Sequence, residues 1–187
     1  MSLMIIKYPE VGICGLSCKL CPAYHRETKS KCDGCKSKSR MNVGCTFIRC
    51  ARQKKKIEFC WDCKESNTCE KWKKHREFSK KRDSFVCYQK LNDNIFFIEN
   101  KGIENFNLHQ EIRKKLLEEM LEDFNEGRSK SYYCIAATVM EIEELEKALS
   151  EAREKANGLT LKAKSKILHL LLDEIAKKKN CHLKLRK

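Results

Sequence analysis

Residues 14–35 read CGLSCKLCPAYHRETKSKCDGC, which places five cysteines within a short segment. Five more follow before residue 70, so that ten of the thirteen cysteines lie between Cys14 and Cys69. Several form C-x2-C pairs, in which one tight turn can direct two thiolates at one metal ion. In a reducing compartment such a density of cysteines indicates metal binding and not a disulfide framework. The sequence therefore predicts a cysteine-rich metal module.

The predicted metal ligands are the ten cysteines of this segment, and zinc is the metal that closely spaced thiolates favour. They are Cys14, Cys18, Cys21, Cys32, Cys35, Cys45, Cys50, Cys60, Cys63 and Cys69. Two tetrahedral sites account for eight thiolates, and the other two can enter a third site with His25 or His75. We therefore expect two or three zinc ions, in a structural role, because the segment has few apolar residues of its own.

The spacing leaves the division of the ligands open. Cys18, Cys21, Cys32 and Cys35 give the pattern C-x2-C-x10-C-x2-C, which is typical of one zinc site, although Cys14 can replace any of them. Cys14, Cys18 and Cys21 also have the C-x3-C-x2-C spacing with which radical-SAM enzymes hold a four-iron cluster. Those enzymes build a β/α barrel around the cluster, whereas further cysteines follow Cys21 here. An iron–sulfur cluster is therefore the alternative to zinc.

The order of these motifs resembles that of a prokaryotic, cysteine-rich family of unknown function. The resemblance rests on residues 14–24 (CGLSCKLCPAY), residues 32–35 (CDGC), Cys50-Ala51 and the closing Cys60, Cys63 and Cys69. It covers about residues 11–72, and it departs from the family at Thr68, where a proline usually precedes the last cysteine. The resemblance implies zinc binding at these positions and implies no particular activity.

The second half of the chain is predicted to be helical. Apolar residues recur at spacings of three and four over about residues 107–125, 133–156 and 160–178, with charged residues on the opposite face. The expected fold class is therefore α-helical with a small irregular zinc-knuckle region. In this arrangement a cysteine-rich module over residues 1–90 packs on a three-helix segment within residues 91–187.

Shorter elements are expected between and after these segments. A helix is plausible over about residues 69–81. Aromatic and β-branched residues favour strands over residues 86–89 and 95–99, and alternation favours a short edge strand over residues 182–187.

The charge of the chain favours an anionic partner. The formal net charge is +14, and 35% of the residues are charged. Lysine and arginine are dense over residues 49–82, where Trp61, Trp72 or Phe78 can stack on bases. The expected partner is therefore a nucleic acid or an acidic protein, although a basic stretch also serves simply as a solvated surface.

A second polar motif lies between two of the predicted helices. Gly127 is followed by Arg128, Ser129, Lys130 and Ser131, which combine two cations and two hydroxyls just before a helix start. Free N–H groups and the helix dipole favour an anion there, so these four residues are candidates for binding a small anionic cofactor. An ordinary helix cap is the alternative.

No catalytic residue is predicted, because no Cys–His or Ser–His–Asp arrangement stands out. We therefore expect a binding protein; the alternatives are a metal-dependent or iron–sulfur enzyme and a metal-handling or redox protein. The sequence has no run of about 18 apolar residues and no signal-peptide pattern at its start, so we expect a cytoplasmic protein that does not enter a membrane. Nothing in the sequence indicates an oligomeric state.

Overall fold

The computed structural model describes residues 6–41 and 45–187. Within these ranges the chain forms eight α-helices, and one isolated antiparallel bridge joins Val11 and Ser17. The helices are α1 (Lys38–Met41), α2 (Thr46–Ile48), α3 (Glu70–Lys81), α4 (Leu91–Lys101), α5 (Ile103–Asp123), α6 (Lys130–Val139), α7 (Ile142–Lys155) and α8 (Leu161–Lys179). A 3-10 turn spans Cys18–Leu20, and a π-helix spans Arg49–Lys55. No described helix is long and apolar enough to cross a membrane.

The predicted fold class is confirmed: the protein is helical, and its cysteine-rich segment packs on the carboxyl-terminal helices. The predicted helices at 69–81, 107–125 and 160–178 correspond to α3, α5 and α8, and Thr160 caps α8 by accepting a hydrogen bond from the N–H of Ala163. In detail, five helices follow residue 90 where three were expected, because the expected helix over 133–156 is divided and an additional helix, α4, precedes α5.

The division of the expected helix lies at Met140, whose backbone is extended (ψ 158°). Glu141 then starts α7 through a capping box, in which its side chain and that of Glu144 each accept a backbone hydrogen bond. The carbonyls at the end of α6 are satisfied from another helix, because Arg113 of α5 donates to Ala137 O at 2.9 Å and to Met140 O. A distant side chain thus stabilises a break that apolar periodicity does not reveal.

The three strand predictions are wrong. Residues 95–99 lie inside α4, because Leu91, Ile95 and Ile98 share a helical face and are all buried. Residues 86–89 and 182–187 are irregular, and they are held by side chains: Gln89 bonds to the N–H and the carbonyl of His182. Local composition could not distinguish these cases, since short apolar runs suit both helices and strands.

The main hydrophobic core joins the two halves of the chain. It is formed chiefly by α5, α6, α7 and α8, with Tyr133, Leu117, Leu145 and Leu168 fully buried. Leu20 belongs to the same core, although it comes from the 3-10 turn between two cysteines. This leucine therefore anchors the cysteine-rich segment on α5 and α6, which the 3-10 turn contacts.

The end of the chain is fastened to α3 by Arg186. Its guanidinium donates two hydrogen bonds to the carboxylate of Asp83, at 3.0 and 3.1 Å, and also donates to the carbonyls of Ser79 and Lys80. Burial alone would raise the pKa of Asp83, but the hydrogen bonds from Arg186 and from the N–H of Tyr88 outweigh burial and hold that pKa below its usual value. The ion pair therefore stabilises the fold when Asp83 is charged.

We expect Asp83→Asn to lower the free energy of unfolding at pH 7 by about 3 kcal/mol, because Arg186 would lose the partner of a buried pair. The folded-state pKa of Asp83 is depressed, so its contribution is present above about pH 4 and is lost as the pH falls through that lowered value. Urea unfolding at pH 7 and at pH 3 measures this, with the exposed Lys184→Ala as the control. A variant that is equally destabilised at both pH values would contradict the assignment.

Candidate metal centre and the cavity beside it

Two turns at glycines lie beside the cysteine pairs Cys18/Cys21 and Cys32/Cys35. Gly15 and Gly34 have φ of 89° and 102°, in the left-handed region that other residues rarely adopt. A Cβ on Gly34 would lie 3.0 Å from the carbonyl oxygen of Pro9, so the turn also needs a residue without a side chain. With the turn in place, the N–H of Cys35 donates to the sulfur of Cys18 at 3.3 Å.

The first thiol group consists of Cys18, Cys21, Cys32 and Cys35. The hydrogen bond between the thiols of Cys18 and Cys35 raises the pKa of Cys18 and lowers that of Cys35. Burial raises the pKa of Cys21, and the charges of Cys35 and Cys32 raise it further. These mutual effects show that the four thiols of the C-x2-C-x10-C-x2-C pattern are neighbours.

The second thiol group lies around Cys60 and joins distant parts of the chain. Burial raises the pKa of Cys60 well above its usual range, and so do the charges of four other thiols. Burial likewise raises the pKa of Cys14 to about 12, with further contributions from Cys35 and Cys45. The members of the second group are Cys14, Cys45, Cys50, Cys60, Cys63 and Cys69.

Neither group is arranged as a finished coordination shell. Among residues 6–41 and 45–187, no three Cys, His, Asp or Glu side chains are placed so that they could hold one metal ion. Of the two candidate histidines, His25 uses Nε2 in a hydrogen bond with the carbonyl of Lys19, whereas Nε2 of His75 is buried and has no partner. The expected ligand set and the expected zinc ions stay predictions.

Two buried lysines adjoin the first thiol group. Lys19 follows Cys18 and pairs with Glu10 and with Glu111 of α5, both at 3.2 Å. Lys36 follows Cys35, and its ammonium donates to Glu58 at 2.8 Å and to the carbonyl of Tyr8 at 3.0 Å. The same ammonium lies 3.8 Å from the centre of the Phe59 ring. These lysines fasten the two cysteine turns to the rest of the molecule.

The predicted anion-binding loop contains a carboxylate of its own. Glu126 accepts hydrogen bonds from Ser129 at 2.6 Å and from Ser165 at 2.7 Å, and these bonds lower its pKa to about 2. Ser129 is buried and also bonds to Nε2 of His169 at 2.8 Å. These hydrogen bonds fasten the loop to α8, which carries Ser165 and His169.

The other three candidates of this loop point in different directions. The ammonium of Lys130 donates to the carbonyl of His25 at 2.9 Å, whereas Arg128 and Ser131 are exposed. Anion binding at Arg128, Ser129, Lys130 and Ser131 stays a prediction. The sequence analysis did not predict that Glu126 accepts a hydrogen bond from Ser129, although the two residues are three positions apart.

The basic segment places one aromatic ring in solvent. Trp72 is 4% exposed in the core, and Trp61 stacks on Phe59 with ring centres 4.4 Å apart. Phe78, in contrast, is 41% exposed on α3. Of the three predicted stacking residues, Phe78 is therefore the one accessible to a partner.

A cavity of about 940 Å³ lies between the cysteine-rich segment and the helices. One wall carries thiols of both groups, including Cys14, Cys18 and Cys35, and the opposite wall carries side chains of α4, α5 and α6. This volume is within the range of small-molecule sites, about 300–1,000 Å³. Sequence analysis did not predict the cavity.

Comparison with known proteins adds a family match for this region. Residues 10–74 match a family described as a protein of unknown function, DUF3795. The match includes all ten cysteines of the two thiol groups, and it leaves the helices from α4 onward uncovered. No curated protein and no solved structure matches the chain.

A double-mutant cycle tests the buried Lys36–Glu58 pair. We expect Lys36→Met to lower the free energy of unfolding by about 3 kcal/mol, because Glu58 would keep a poorly solvated charge. Adding Glu58→Gln removes that charge, so the double variant should be less destabilised than the sum of the single variants, by more than about 1 kcal/mol.

The matched control is the exposed pair Lys55 and Glu65, whose side chains are 37% and 63% exposed. Its coupling energy should be below about 1 kcal/mol, because solvent screens exposed pairs. Thermal and urea unfolding of the purified protein measure both cycles. Equal coupling in the two cycles would show that Lys36 does not act through a buried pair.

Proposed function

We propose that residues 10–74 bind zinc in a structural role and that the chain is a nucleic-acid-binding protein, whose helix α3 contacts the phosphate backbone. The observation that carries the second part is a stripe of α3 formed by Lys71, Lys74, Phe78 and Lys81. These positions share one face of the helix, and all four are exposed, whereas Trp72 and Ser79 face the interior.

The cations of this stripe are available to a partner. Lys71, Lys74 and Lys81 have no acidic partner among the described residues, while the neighbouring Lys73 and Lys80 pair with Glu70 and Glu77. Lysines at about one-turn intervals can follow a phosphate backbone, and an exposed aromatic ring between them can stack on an unpaired base. The stripe thus combines charge with a sequence-tolerant stacking surface.

The donor chemistry of the two thiol groups supports zinc. The first group offers four thiols, and the N–H of Cys35 donates to the sulfur of Cys18, a type of contact that stabilises a thiolate. The second group offers six thiols: besides burial, the charges of Cys14, Cys50, Cys63 and Cys69 raise the pKa of Cys60, and that of Cys45 raises the pKa of Cys14. When bound, zinc supplies folding free energy to this segment and no redox chemistry. Cys18, Cys21, Cys32 and Cys35 would hold one ion, and members of the second group would hold the rest.

Metal content is the first test. Protein purified without added metal should contain two or three zinc ions per chain and have no visible colour. Cys18→Ser should lower the zinc content by one ion and lower the melting temperature, because it removes a ligand of the first group. Cys87→Ser, which lies outside both groups, should retain all the zinc. Iron and sulfide with a brown chromophore, or no metal at all, would refute the zinc proposal.

Nucleic-acid binding is tested by charge reversal on the stripe. We expect Lys71→Glu/Lys74→Glu/Lys81→Glu to weaken the binding of a labelled single strand of about 20 nucleotides by at least about ten-fold at low salt. Fluorescence anisotropy at several salt concentrations measures this. The control reverses three exposed lysines of α8, in Lys162→Glu/Lys166→Glu/Lys177→Glu, which changes the net charge equally.

Three outcomes would count against the nucleic-acid proposal. One is the absence of detectable binding at low salt, where phosphate contacts are strongest. Another is an equal loss in the α8 control, which would make net charge the cause. The third is equally tight binding of polyglutamate, which would point to an acidic protein as the partner.

A further inference from the structure

The cavity between the two halves of the chain is lined by an amide that forms no hydrogen bond with the described residues. Gln110 of α5 is 6% exposed and lines the cavity, and it makes no hydrogen bond to any described residue. The amide atoms of Gln110 are not among the fully buried atoms that lack a partner, so they are open to the cavity. A ligand in the space in front of Gln110 can therefore form a hydrogen bond with its amide.

Aromatic rings adjoin this amide on the same wall. Phe97 and Phe106 line the cavity, with ring centres 6.2 Å apart, and His109 lies 5.0 Å from Phe97. Asn94 also lines the wall, and its amide nitrogen donates to Gly15 O, which leaves its side-chain oxygen as an acceptor. A planar ring can stack there while one edge meets an amide that offers a donor and an acceptor side by side.

Several charged side chains line the cavity, and two of them are arginines without an acidic partner. Lys90 pairs with Asp93 and with Glu141, and Arg113 also pairs with Glu141, so these charges are balanced. Arg26 and Arg40 line the cavity too, and neither has an acidic partner in the described ranges. The Nε atom of Arg40 is buried and has no hydrogen-bond partner. Two guanidinium groups without a carboxylate partner therefore lie on the side of the cysteine-rich segment, next to the thiols of the same lining.

We propose that this cavity binds a purine or pyrimidine ring that carries a phosphate. The ring edge meets the amide of Gln110, as glutamine amides read base edges elsewhere, and the ring packs on the half-buried Phe97. The phosphate lies toward Arg26 and Arg40. The same chemistry occurs in a free nucleotide and in an unpaired nucleotide of a single strand, and the site does not depend on the basic stripe of α3.

Titration calorimetry of the full-length, metal-loaded chain tests the site with adenosine, guanosine, cytidine and uridine monophosphates. At least one should bind, and inorganic phosphate should bind far more weakly. Gln110→Leu should weaken binding by about ten-fold, because it keeps the size of the side chain and removes the amide. The matched control is the exposed Gln53→Leu, which should bind as the wild type does.

A second measurement uses the wild-type protein, so it does not depend on the folding of a variant. The side-chain amide signal of Gln110 in a nitrogen–proton NMR spectrum should shift when the nucleotide is added. A shift with a short single-stranded oligonucleotide but with no monophosphate would identify the polymer as the source of the ring. If neither probe shifts the signal, or if Gln110→Leu binds as tightly as the wild type, the inference is wrong.

The two proposals can fail separately. The α3 charge-reversal variant should retain mononucleotide binding in the cavity, because its substitutions lie on the outer face of α3. Gln110→Leu should in turn retain the salt-dependent binding of a strand by α3. Loss of mononucleotide binding in the α3 variant would show that the cavity is not an independent site.

Discussion

The buried lysines beside the first thiol group hold the cysteine-rich segment in position. Its attachment to the helices depends on Leu20, on the pair of Lys19 with Glu111, and on the apolar contacts of Phe59 and Trp72 with α4. Lys19 reaches Glu111 of α5, whereas Lys36 reaches Glu58 within the segment. Burying an ammonium costs free energy unless it is paired, so the folded segment needs both partners of each pair. Ion pairs thus help to position the segment, which a larger apolar core would otherwise do.

The helices that could be predicted from sequence are those with one continuous apolar face. For α5 and α8 the spacing of apolar residues was sufficient to predict a helix, although Leu108 and Ile112 of α5 are exposed. The break between α6 and α7 could not be predicted, since Arg113 satisfies the end of α6 from another helix. Helix α4 was missed because its apolar residues also suit a strand, and its helical face becomes evident only from packing against Trp72. Tertiary contacts decided both cases.

The candidate site was predictable in its residue types and only partly in its arrangement. The spacing of Cys18, Cys21, Cys32 and Cys35 predicted one neighbourhood, and the structure brings these four thiols together. The second thiol group brings Cys14 near Cys60, and this proximity depends on the path of the chain between them. Gln110 gave one usable signal: it is a polar residue at a buried position on the apolar stripe of α5 that includes Phe106 and Leu117.

The position of the cavity couples metal binding to any ligand in it. One wall is made by the thiols and the other by α4, α5 and α6, so the cavity exists only when the cysteine-rich segment is folded against the helices. If zinc supplies the folding free energy of that segment, a ligand that touches both walls must bind more tightly to the zinc-loaded chain. By reciprocity the ligand must then raise the affinity for zinc by the same factor, because a coupling free energy acts equally on both sites. Gln110, on the helical wall, would report this coupling without itself being a metal ligand.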